Sequence, residues 1–184
     1  MSKNTKDFLG IRQLKNVKVL VCVALFVAIS IVLGKFLAIS IGDAFRLSFE
    51  NLTIILTGMM FGPIAGALAG ICADLLGCIL RGYSIIPILT VGAALIGFIS
   101  GLLYNSFSKV SVLWKVLIST SVSHILGSVI VKTIGLTLYY DMPFCETLVL
   151  RSLNYLIVIT AETFVLCVLI KNKGFITQLD RIKR

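Results

Sequence analysis

Histidine occurs once in 184 residues, acidic side chains eight times, and charged residues make up only 14% of the chain. A single histidine excludes a two-histidine metalloprotease motif of the HExxH kind, and the sequence carries neither a GxSxG nucleophile elbow nor a phosphate-binding P-loop. The five cysteines, Cys22, Cys72, Cys78, Cys145 and Cys167, are scattered, odd in number and mostly inside apolar runs. They lack the paired spacing of a zinc or redox site and read as small core residues. No catalytic residue, metal ligand or cofactor is therefore expected. Long polar stretches are also missing, which leaves no room for a nucleotide-binding domain.

What is abundant is apolar: 58% of the residues are hydrophobic. A hydrocarbon core about 30 Å thick takes about 20 apolar residues per helical crossing, so the chain holds roughly six crossings. The predicted fold is an all-α integral membrane protein, a compact bundle of about six transmembrane helices forming a single domain over residues 1–184. Hydrophobicity and Gly/Pro punctuation put the helices near 17–38, 51–61, 64–80, 88–107, 113–139 and 147–170. A basic leader, 1–16, precedes them and a basic tail, 171–184, follows. The first apolar run is longer than the core of a secretory signal and has no small-residue cleavage site, so it reads as a retained spanning helix. The second and third helices are short for full crossings. Only Gly62 and Pro63 separate them, and Pro suits the first turn of a new helix, which predicts a tight turn there.

The net charge of +9 does not point to nucleic acid, because the basic residues lie mainly at the ends of apolar segments. With a cytoplasmic N-terminus, the leader, Lys109, Lys115 and the residues from Lys171 onward all fall inside. This positive-inside bias predicts a multi-pass protein of the cell membrane with both termini cytoplasmic. The remaining cations, Lys35, Arg46, Arg81, Lys132 and Arg151, then fall in the outer half.

Small residues recur at helical spacing: Ala24 and Ala28, then Gly62, Gly66 and Gly70, then Gly97 and Gly101. Such faces let helix backbones approach closely in lipid, and for the glycines the expected use is internal packing. Polar residues are also periodic. Thr120, His124, Ser128 and Lys132 step by four along the fifth helix, and Arg151, Tyr155 and Glu162 share a face of the sixth. Running antiparallel, the two helices bring His124 to the depth of Glu162, a pair able to satisfy itself, and Lys132 to that of Asn154. Lys132 and Arg151 either meet an anionic ligand or are neutralised by Asp141 and Glu146. Asp74, one step beyond Gly70, either accepts from an N–H-rich ligand or pairs with Arg81 or Lys132. The stretch from Asp43 to Asn51, with Arg46, Phe49 and Glu50, and the stretch Arg81-Gly82-Tyr83 read as interfacial anchors or, with Tyr139, Tyr140 and Tyr155, as caps over a pocket for an aromatic anion.

Several of these residues fall in runs that together resemble one family. The runs are Arg46-Leu47-Ser48-Phe49-Glu50-Asn51-Leu52, Gly62-Pro63-Ile64-Ala65-Gly66, Ala73-Asp74-Leu75-Leu76-Gly77, Tyr83 before Pro87, and Gly97-Phe98-Ile99-Ser100-Gly101. The likeness is to the substrate-binding S component of energy-coupling factor (ECF) vitamin transporters, folate type above all. It covers roughly residues 20–105, while the last two helices agree mainly in length and hydrophobicity. The resemblance implies vitamin binding from outside, with delivery through a transmembrane T component and two cytoplasmic ABC-type ATPases. It also implies docking of the T component on Ala24 and Ala28. The expected substrate-binding set is Arg46, Asn51, Asp74, Arg81, Tyr83, Lys132, Tyr139, Arg151 and Tyr155, with the cations toward the carboxylates of folate and aromatics bracketing its rings. Riboflavin, pantothenate and thiamine are alternative vitamins. A small membrane enzyme or assembly factor that binds lipid headgroups is the rival from another class.

Overall fold

The computed structural model describes residues 9–36, 38–41, 45–107 and 110–183, with side chains for all of these except 35, 36, 39–41 and 45–47. Helix α1, Val17–Ile31, starts at Asn16, whose side chain accepts the Lys18 backbone N–H at 3.0 Å. It continues into a π-helical turn, Val32–Phe36. Strands β1, Ile39–Ile41, and β2, Phe45–Leu47, then pair antiparallel with Ser40 opposite Arg46. The remaining helices are α2, Glu50–Phe61; α3, Pro63–Arg81; α4, Pro87–Ser106; α5, Val112–Tyr140; α6, Phe144–Lys171; and α7, Lys173–Lys183. Among the described residues, five helical segments, from α1, α3, α4, α5 and α6, are long and apolar enough to cross a bilayer. Backbone polar groups have no water to bond in hydrocarbon, and helices satisfy them internally. The all-α membrane bundle expected from the sequence is thus what forms, with a two-strand ribbon added.

Helix α2 is the centre of the bundle. Its 12 residues rise about 18 Å, short of a full crossing. Asn51 and every residue from Thr53 to Phe61 are buried beneath α1, α3 and α4. Gly62 joins α2 to α3 with φ 101°, a conformation that side chains with a Cβ rarely adopt, and Pro63 opens α3 at its first position as expected. This turn, with Gly10 against it and α7 nearby, marks the lower end of the bundle. The α3–α4 and α5–α6 connections mark the upper end.

The glycine stripes serve internal packing. A Cβ added to Gly66 would run into the Gly97 carbonyl, one on Gly58 into the Gly97 carbonyl and Ser100 Oγ, and one on Gly101 into the backbone of Gly58 and Pro63. Helices α2, α3 and α4 therefore meet backbone to backbone, which in lipid supplies the dispersion contact that water-driven burial supplies elsewhere. Ala24 and Ala28 differ: both are exposed on α1 beside exposed Leu25 and Ile29.

Some sequence expectations are corrected. The first helix was expected to reach 38, but the α-helix ends at Ile31, and after the π turn the β-branched Ile39 and Ile41 enter the ribbon. The third helix is not short. Gly82 closes it in the left-handed conformation after 19 residues, enough to span. The basic tail is itself an amphipathic helix, α7, which lies against α1 at the lower end. Leu179 is buried there, and Asn16 Nδ2 donates to the Ile182 carbonyl at 3.1 Å. Asp43 and Lys109 lie outside the described residues, as do the side chains of Lys35 and Arg46.

Candidate functional site

Helix α5 sets the geometry of the upper half. It is α-helical over Val112–Ser123, π-helical over His124–Val131 and α-helical again over Lys132–Tyr140. Four-residue steps precess by about 40° each on an α-helix, so a stripe of four such residues would drift off the buried face. The wider π turns cancel part of that drift. Thr120, His124, Ser128 and Lys132 consequently all stay buried. His124 Nε2 lies 2.6 Å from Glu162 Oε2, both side chains fully buried, and His124 Nδ1 lies 3.2 Å from Ser128 Oγ. The Ser128 carbonyl accepts two bonds from Arg151, from Nε at 3.2 Å and Nη2 at 2.8 Å. The Arg151 guanidinium lies 5.4 Å from the Tyr155 ring centre, and that ring stacks on His124 at 5.0 Å. Arg151 is therefore held from two sides before any ligand arrives.

Of these residues, Lys132, Arg151 and Tyr155 line a cavity of about 420 Å³ at the upper end, within the range of about 300–1,000 Å³ usual for small-molecule sites. Glu50, Asp74, Tyr83, Ser84, Lys132, Tyr140, Asn154, Arg151 and Tyr155 line it, with Ile86, Leu89 and Leu136 among its apolar surfaces. A narrow pocket of about 10 Å³ shares Glu50, Asp74 and Lys132 and adds Ser30, Asn51 and Ala93. Lys132 Nζ sits 3.5 Å from Glu50 Oε1. Both partners rest on glycines: a Cβ on Gly34 would meet the Glu50 side chain at 2.5 Å, and one on Gly92 would meet Lys132 Cγ at 2.8 Å. Asp74 Oδ2 accepts the Thr90 hydroxyl at 2.7 Å, which ties α3 to α4. Among the described residues no group of three His, Cys, Asp or Glu side chains could hold a metal.

Asp74, Tyr83, Lys132, Arg151 and Tyr155 from the expected set converge on the larger cavity, and Asn51 on the narrow one. Arg81 is exposed and donates to the Tyr83 hydroxyl at 3.5 Å. Tyr139 is 58% exposed and lies outside the lining, whereas Tyr140, about 100° further round the helix, is part of it. Arg46 sits in β2 with its side chain outside the described residues. Glu50, rather than Asp141 or Glu146, is the carboxylate set against Lys132. By sequence Glu50 falls in the stretch from Asp43 to Asn51 that reads as interfacial anchors or a pocket cap. Its ion pair joins residues far apart in the chain, a contact that helical periodicity does not encode.

A family model described as the substrate-specific component of ECF transporters matches residues 18–171. The chain belongs to that family. A folate transporter, FolT, of Clostridium novyi is 30% identical over 128 residues, 67% of this chain and 70% of that one. An uncharacterised Mycoplasma pneumoniae protein is 26% identical over 127 residues; the match takes in 68% of this chain but only 44% of the relative's length. The crystal structure of a FolT bound with folic acid superposes with a TM-score of 0.69 at 23% identity, covering 82% of this chain and 90% of that one, which establishes the shared fold. The rival reading, a lipid-headgroup enzyme or assembly factor, is not favoured in a family of transporter components.

Proposed function

We propose that this substrate-specific component binds folate, or a vitamin closely similar to it, in the upper cavity and captures it from outside the cell. The observation that carries the reading is the pairing of Arg151 with Tyr155 on the wall of a 420 Å³ cavity, in a chain 30% identical to a folate transporter. A cation fixed over an aromatic ring suits a ligand that joins carboxylates to a flat aromatic body. Arg151 is the first candidate for the carboxylates, because Lys132 already faces Glu50. Tyr83 and Tyr140 are candidates to cover the rings.

In this reading both termini are cytoplasmic, the upper end faces outward, and a transmembrane T component with two ABC-type ATPases completes transport. Ala24 and Ala28, exposed on α1, form the surface that the T component would approach. Two measurements test the proposal. Mass spectrometry of the small molecule retained on purification is expected to find a folate, and a flavin or another vitamin would replace the substrate assignment. Single cysteines in Arg46→Cys, Arg81→Cys and Asp141→Cys, in a background without the native five, are expected to react with an impermeant thiol reagent on intact cells. Protection of all three would reverse the orientation.

A further inference from the structure

The lower end holds a second cavity, of about 340 Å³, a volume usual for small-molecule sites. Its polar lining comes from three elements: Gln13 from the leader, Tyr104 and Asn105 from the last turn of α4, and Asp180 and Lys183 from α7. The base is fixed. A Cβ on Gly62 would meet Gly10 Cα at 2.8 Å, the Leu9 carbonyl accepts the Ile64 N–H at 3.4 Å, and Asn16 ties the leader to α7. Gln13 Oε1 is buried in the wall yet makes no hydrogen bond, a costly state for an acceptor. Lys183 Nζ brings positive charge to the same wall, 3.5 Å from Asp180 Oδ1 and 5.9 Å from the Phe61 ring centre. The depth is that of lipid headgroups. Lys115 Nζ lies 5.8 Å from the Tyr104 ring centre, and beside it at the start of α5 Leu113 and Trp114 are exposed. An exposed Trp next to a Lys marks the boundary between hydrocarbon and headgroups. Arg12 and Lys15 of the leader and Lys173 and Arg181 of α7 are exposed around the cavity, and basic clusters of this kind draw acidic lipids to a membrane protein.

We infer that this cavity is a site for one acidic phospholipid of the adjoining leaflet, its phosphodiester held by Lys183 and its headgroup hydroxyls donating to Gln13 Oε1 and the Asp180 carboxylate. Tyr104 and Asn105 add donors for the phosphodiester oxygens, and Leu113 and Trp114 offer the acyl chains an apolar surface. A glycerol headgroup meets these requirements. A choline headgroup does not, because it has no hydrogen to donate and is itself a cation. The lipid joins the leader, α4 and α7 at the end of the bundle opposite the upper cavity, so the inference stands apart from the folate reading.

The test titrates the purified full chain in detergent and counts bound molecules by native mass spectrometry. The probes are phosphatidylglycerol, phosphatidylmethanol, which keeps the charge but has no headgroup hydroxyl, phosphatidylcholine, and glycerophosphoglycerol, the same headgroup without acyl chains. Wild-type protein is expected to bind one phosphatidylglycerol about fivefold to tenfold more tightly than phosphatidylmethanol, the range for one or two hydrogen bonds, and both more tightly than phosphatidylcholine. Lys183→Met is expected to weaken phosphatidylglycerol by about tenfold, Lys183→Arg to retain it, and Lys18→Met, a change at an exposed residue outside the cavity, to leave it within about twofold. Gln13→Leu should remove the preference over phosphatidylmethanol while the charge-dependent preference over phosphatidylcholine persists. Equal binding of the three lipids by wild type would overturn the site without recourse to any variant. Losses of equal size in Lys183→Met and Lys18→Met would replace it with a diffuse basic surface, and glycerophosphoglycerol bound as tightly as the lipid would make the ligand a soluble phosphodiester instead.

Discussion

At the scale of single residues, two polar arrangements in α5 and α6 do different work. His124 and Glu162 are fully buried and paired at 2.6 Å through Glu162 Oε2, while Glu162 Oε1 makes no hydrogen bond. Removing one partner leaves the other's polar group in an apolar interior, a change that costs about 3–5 kcal/mol in comparable buried pairs. His124→Phe should therefore lower the unfolding temperature in detergent sharply, whereas the paired change His124→Phe with Glu162→Leu should recover much of the loss. Arg151 is only partly buried and already committed to the Ser128 carbonyl and the Tyr155 ring. Its removal should be felt chiefly in binding. Arg151→Gln is expected to weaken folate by about 2–5 kcal/mol if the guanidinium meets a carboxylate in a desolvated setting. Lys132→Met should cost less in the same titration, because Glu50 already faces that ammonium; an equal loss in both would return Lys132 to the anion site.

At the scale of elements, the close contacts of α2, α3 and α4 and the π segment of α5 decide where the site residues go. Gly97 on α4 faces the Gly66 backbone on α3, with no space for a side chain between them. Gly97→Val should force the helices apart at an overpacking cost of about 1–3 kcal/mol, read as a lower midpoint in thermal unfolding. Gly82, by contrast, has open space around it but a positive φ, so Gly82→Ala should act through backbone strain alone and cost about 1 kcal/mol. The four-residue polar stripe of α5 was legible in the sequence. The π turns that keep it on one face were not, because a π segment forms where neighbouring helices stabilise it. Gly127 lies there against Ile96 and the Gly92 carbonyl.

At the scale of the whole molecule, the division is between a cavity with polar lining inside the bundle and an exposed face of α1. Ala24 and Ala28 are exposed, while Val19, Cys22, Val23, Val27 and Ile31 on the other side of α1 are buried against the bundle. Ala28→Trp should leave folate binding by the isolated chain nearly unchanged and abolish uptake by the assembled transporter, because a bulky side chain prevents close helix approach. Binding and uptake falling together would assign the face to internal packing.

The sequence by itself determined the solvent, the class and the family. Hydrophobic runs of spanning length leave no other fold class, and the Gly62-Pro63 turn, the glycine stripes and the His124–Glu162 pair follow from local conformation and helical period. Only the tertiary structure decided which polar residues share a cavity. Glu50 meets Lys132, Asp74 meets Thr90, Arg151 meets the Ser128 backbone, and Asn51 is left without a partner for its Oδ1, all between helices separated in sequence. Tyr140 rather than Tyr139 reaches the cavity for the same reason. Helical period gives a residue its face, but the depth, tilt and twist of each helix come from packing against its neighbours, and those relations are not written in any single segment.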